Sequence, residues 1–95
     1  MTEATAHPDS LPQARADVVF RSVSGDWVLY DPRTQDLHVL NVTAAAVWLC
    51  CDGTLDLDAI ARHLVEEMED APAFEVVRED VAEAVARFRA DGLLE

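Results

Sequence analysis

The sequence contains no lysine: its seven basic residues are all arginine, set against 19 acidic ones, and the net charge over 95 residues is −12. That imbalance argues against nucleic acid or an anionic membrane surface as partner, because binding there begins with cationic side chains displacing counterions. Glycine is scarce, with three residues, and about half of the chain is apolar, which argues against a linker or a fibrous repeat and fits a packed domain. No apolar run approaches the roughly 20 residues of a bilayer span. The Met1 end, with Glu3 and Pro8, lacks the basic-then-apolar order of a secretory signal, so the expected location is cytoplasmic. The only cysteines, Cys50 and Cys51, are neighbours in an apolar stretch, where a bridge between them is strained, and they read as small buried hydrophobes. A chain of this length has material for one core and little for a deep catalytic cleft.

The groups that carry chemistry are equally sparse. His7, His38 and His63 fall in three different segments, without a cysteine or carboxylate at zinc-ligand spacing, so no metal and no cofactor is expected. There is no glycine-rich phosphate loop and no nucleophile elbow, and a cysteine inside an apolar helix lacks the electropositive, exposed setting that lowers a thiol pKa. Adjacent acids such as Glu66-Glu67 point apart on a helix and read as solvated charges. Trp27, Trp48 and Phe88 read as core aromatics. The expectation is a binding domain and not an enzyme.

What is present is a clear order of elements. Residues 1–16 are polar, broken by Pro8 and Pro12, and without period, so they read as a flexible N-terminal tail, with the domain spanning 17–95. Three strand signals follow at Val18–Ser22, Trp27–Asp31 and Asp36–Leu40, separated by the turn sequences Ser24-Gly25-Asp26 and Asp31-Pro32-Arg33-Thr34. They form an antiparallel meander in which the third strand, with Leu37 and Val39 alternating against Asp36 and an outward His38, is an edge. A helix capped by Asn41 or Thr43 runs to about Cys51 and, being apolar nearly all round, is expected to be largely buried.

Asp56 caps a second helix to about Glu69, in which Leu57, Ile60, Ala61, Leu64, Val65 and Met68 fill one stripe. After Ala71-Pro72 a third helix begins near Val77, turns Val81, Val85 and Phe88 inward, and stops at Gly92, leaving Leu93 and Leu94 as a hydrophobic clasp. The fold class is α+β. The C-terminal part from residue 52 holds 13 acids against 4 arginines, which suits a neutral or basic partner or simply a solvated surface.

The runs HVLNVTAAAVWLCCDGTLDLDAIARHLVEEM and VREDVAEAVARFRADGLLE resemble the PqqD-like family, also called RiPP recognition elements. The features shared are the strand ending at Leu40-Asn41, the Ala-rich helix with Trp48, the Asp52-Gly53-Thr54 turn, the helix centred on Ile60 and Leu64, and the closing helix from Asp80-Val81 to Gly92-Leu93-Leu94. The resemblance implies a winged-helix-like form, a three-stranded antiparallel sheet followed by three helices. It also implies a peptide chaperone: the leader segment of a ribosomally made precursor peptide adds as a strand and is presented to a separate peptide-modifying enzyme, such as a radical SAM protein, a cyclase or a peptidase.

Carried over by position, Leu37, His38, Val39 and Leu40 supply main-chain hydrogen bonds, while Val81, Ala84, Val85 and Phe88 supply apolar contacts and Arg87 meets a leader carboxylate. An edge strand beside an apolar helix face independently suits such strand addition. Each strand hydrogen bond is worth about 0.5–1.5 kcal/mol net, and the sum less the ordering of a peptide amounts to about −8 kcal/mol. Competing readings are an adaptor subunit that binds a biosynthetic enzyme without a leader, a small enzyme, and a DNA-binding winged helix; the last is opposed by the charge of −12 and by Arg62 standing alone among the acids of the second helix's polar face.

Overall fold

A computed structural model describes residues 11–95, and the chain in it runs strand, strand, strand, helix, helix, helix. Strands β1 (Val19–Val23), β2 (Asp26–Asp31) and β3 (Asp36–Leu40) form one antiparallel sheet in the order β1-β2-β3, and helices α1 (Val42–Leu49), α2 (Leu57–Glu67) and α3 (Phe74–Ala90) follow. The expected α+β class and element order are therefore those observed. Among the described residues no helix is long and apolar enough to cross a membrane.

The β1–β2 turn sets the register of the first strand pair. Ser24 and Gly25 both have positive φ, 53° and 87°, the two-residue mirror-image turn whose twist matches that of paired strands. It brings Val23 opposite Asp26, and each successive step then pairs Arg21 with Val28 and Val19 with Tyr30. The next strand continues the pattern with Leu29 opposite His38 and Trp27 opposite Leu40. Leu29 is fully buried, so Phe20, Leu40 and His38 share its inner face, and Phe20 stacks on Trp27 with ring centroids 5.4 Å apart.

The same parity corrects one expectation. His38 faces inward and is half-buried, whereas Leu37 and Val39, read as the inward residues, are 66% and 70% exposed on the opposite face. Alternation along a strand identifies two faces but not which of them is inner; the buried cross-strand partner decides that.

Asn41 caps α1, its Oδ1 accepting from Ala44 N at 2.7 Å, and Asp56 caps α2 in the same way at 2.8 Å to Ala59 N. The helices pack through Val47, Trp48, Ile60, Leu64, Val77, Val81, Val85 and Phe88, with Trp48 and Phe88 meeting edge to face at 5.2 Å between centroids. Burial of α1 is less complete than its composition implied, since Val42 and Leu49 stand exposed at its two ends. Met68, expected on the α2 stripe, is 41% exposed because α2 ends at Glu67 and Met68 has already turned to extended backbone. Helix α3 starts a turn earlier than expected, at Phe74, without a side-chain cap. Arg78 of α3 pairs with Asp58 of α2 across the two helices' exposed edge.

The N-terminal boundary also differs from the expectation. Residues 1–10 of the expected tail lie outside the described residues, but residues 12–15 are part of the domain. Ala14 N donates to Cys51 O at 2.8 Å, Arg15 N to Leu93 O at 3.0 Å and Glu95 N to Gln13 O at 2.8 Å, so this segment lies between the α1 end and the C-terminal clasp. Arg15 is buried and forks onto Asp31, with both nitrogens 3.0 Å from the carboxylate, while also donating to Asp17 and to Gly92 O. The guanidinium holds the carboxyls of Asp31 and Asp17 below the usual carboxylate range, chiefly through these hydrogen bonds. A polar, proline-broken stretch is thus fixed by partners 16 and 77 residues away, which no local period reveals.

Candidate functional site

Helix α3 presents two adjacent faces. Val77, Val81, Val85 and Phe88 fall at steps of four, four and three and turn into the core. Asp80, Glu83, Ala84, Arg87 and Asp91 lie about a quarter turn away, facing β3. Between that face and the strand is a groove of about 340 Å³, walled on the other side by His38, Val39 and Leu40 and closed at one end by Asn41, Thr43 and Ala44. Phe88 and Leu93 also line it. His38 Nδ1 lies 3.7 Å from Asp91 Oδ2, so the middle of β3 stands against the C-terminal end of α3.

The register states which backbone groups of β3 are free. A two-residue turn of this type closes on a doubly hydrogen-bonded pair, here Val23 and Asp26, and such pairs then alternate. Asp26, Val28 and Tyr30 therefore spend their backbone groups on β1, and Trp27, Leu29 and Asp31 spend theirs on Leu40, His38 and Asp36. By the same alternation Leu37 and Val39 direct N–H and C=O away from β2, at the sheet's open edge. Unpaired strand edges of this kind accept a further strand.

Of the residues expected at the site, the structure brings Leu37, His38, Val39 and Leu40 of β3 together with Ala84, Arg87 and Phe88 of α3 at or beside one groove. Their parts differ: Leu37 and Val39 offer main chain, while His38 and Leu40, whose main chain is committed to β2, offer side chains. Val81 and Val85 do not reach the groove; they are 0% and 3% exposed inside the helical core, where their spacing from Val77 and Phe88 puts them. Sequence reasoning missed Asp80, Glu83 and Asp91, although Asp80 lies four residues before Ala84, and Glu83 and Asp91 each lie four residues from Arg87, the helical spacing that places them on the same face.

The thiols take no part. Cys50 and Cys51 are buried and unpaired, Cys51 donates to Val47 O at 3.2 Å, and burial pushes its pKa up to about 12, the reverse of a reactive cysteine. Among the described residues no group of three or more His, Cys, Asp or Glu side chains is arranged to hold a metal ion.

The family model of Coenzyme PQQ synthesis protein D (PqqD) matches residues 26–94. Two solved structures share the fold. One is TbiB1 in complex with the TbiA(beta) leader peptide, 17% identical, with 87% of this chain and 94% of that chain covered and a TM-score of 0.71. The other is a lasso peptide synthetase B1 complexed with the leader peptide, 21% identical, with 90% and 99% covered and a TM-score of 0.74. No curated protein matches the sequence.

Proposed function

The chain belongs to the PqqD family, and on that premise we propose that it binds the leader segment of a ribosomally made precursor peptide by strand addition and presents it to a separate modifying enzyme. The observation that carries this reading is the open edge of β3 facing the α3 groove, where the main chain of Leu37 and Val39 is unspent among the described residues. A peptide laid there pairs with Leu37 and Val39, and its alternate side chains fall on two sides. Those turned inward meet His38, Leu40, Ala84 and Phe88; those turned outward lie beside Leu37 and Val39, covering apolar surface that is exposed in the free domain. That both solved relatives hold a leader peptide supports the same reading.

The protein's role is binding, without catalysis or cofactor, in the cytoplasm where the precursor is made. The burial of both thiols, which raises their pKa, supports a delivery function. A second reading, an adaptor that docks on a biosynthetic enzyme without touching a leader, draws on the exposed apolar outer face of the sheet, where Val23, Leu37 and Val39 stand free.

A backbone amide NMR titration with the leader peptide of the nearest candidate precursor separates the two. Strand addition predicts shifts concentrated on 37–40 and 80–91. Shifts spread over Val19, Val28 and Tyr30 with none on α3, or no shifts at large peptide excess, would overturn it.

A further inference from the structure

We propose that the groove selects a leader segment carrying a lysine or arginine, whose cationic end is held by Asp80 and Glu83 of α3; the inference rests on the leader-binding reading above. Three carboxylates, Asp80, Glu83 and Asp91, line the groove against one guanidinium, Arg87. Asp91 faces His38, but among the described residues Asp80 and Glu83 have neither an ion-pair partner nor a side-chain hydrogen bond. Both are exposed, three residues apart on one helix face, and flanked by the small Ala84, which leaves room above the helix.

Two ordinary explanations for such acids do not apply. They do not complement the helix N-terminus, because α3 begins at Phe74 and the dipole's effect is confined to the first turn. Nor do they pair across helices, as Asp58 does with Arg78. What they face is the open edge of β3. A strand bound there aims every second side chain toward α3, and a lysine or arginine in that position lays its aliphatic stem along Ala84 and Phe88 while its charge reaches the carboxylates. With a net charge of −12 and no lysine of its own, the domain also attracts a cationic peptide from a distance.

The test is a display library of random 12-residue peptides selected against three forms of the full chain: wild type, Asp80→Asn/Glu83→Gln, and Glu66→Gln/Glu67→Gln. The last pair lies exposed on α2, away from the groove, and removes the same charge. Wild type and the α2 variant are expected to enrich Lys or Arg at one fixed position of a strand-like pattern, and the α3 variant is not. For a selected peptide, replacing that residue by Gln should weaken binding to wild type about fivefold and leave binding to the α3 variant unchanged. Strand-like binders without a basic position, or equal losses in both charge variants, would overturn the inference and leave leader binding standing. If no selected peptide loses affinity on Val39→Pro, both readings fall.

Discussion

Replacing Val39 by proline should weaken peptide binding while sparing the fold, whereas the same replacement at its neighbour His38 should cost stability. The N–H of Val39 points to the open edge, so proline there deletes no bond to β2, and the lost side chain is 70% exposed. For a bound peptide the change removes one strand hydrogen bond and leaves the peptide carbonyl without its donor. That costs about 1–2 kcal/mol, a loss of roughly 5- to 30-fold in affinity. His38 instead pairs with Leu29, which is fully buried, and His38→Pro strands a buried carbonyl at about 1–3 kcal/mol of stability. Urea denaturation gives the stability of each variant and fluorescence anisotropy with the leader peptide gives its affinity. A folded Val39→Pro variant that binds as tightly as wild type would refute strand addition. A Val39→Pro variant less stable than His38→Pro would refute the assignment of backbone parity.

Four further outcomes are expected. Phe88→Ala should cost about 3–5 kcal/mol in denaturant unfolding, since the ring is 3% exposed and packs edge-on against Trp48; a loss below about 1 kcal/mol would place it outside the core. Asp31 and Asp17 are held below their ordinary 3.8 by Arg15, so their contribution is present above that value and is lost as pH falls through their lower folded values. Wild type should therefore lose urea resistance below about pH 4, and Arg15→Met, with Asp31 left buried and unpaired, should be weaker at pH 7 and lose less on acidification; parallel profiles would count against the pairing. A chain begun at residue 17 should unfold at lower urea than one begun at residue 11, because it lacks Pro12 and Arg15; equal midpoints would restore the flexible reading of residues 11–16. Gly53→Ala should lower the melting temperature, because its φ of +85° strains any L side chain whatever the space around it; an unchanged melting temperature would contradict that backbone conformation.

The order of elements, the cap at Asp56, the choice of Asn41 or Thr43 as the cap of α1, the helical core stripe and the clasp of Leu93 and Leu94 are legible in the sequence by itself, because each depends on residues a few positions apart. Period, cap and turn chemistry are local, and so is the edge position of β3 in a meander with short turns. The lack of lysine likewise narrows the partner without any fold. Tertiary structure alone decided the rest. Which face of β3 is inner follows from the pairing of His38 with the buried Leu29, a contact fixed by the turn between Asp31 and Asp36. That Val81 and Val85 are spent on the core while Asp80, Glu83 and Ala84 look into the groove depends on how α3 is rotated against α1 and α2, and a helical period leaves that angle open by about a quarter turn. Residues 12–15 carry no period because their partners are the ends of α1, β2 and α3, brought beside them only when the chain has folded.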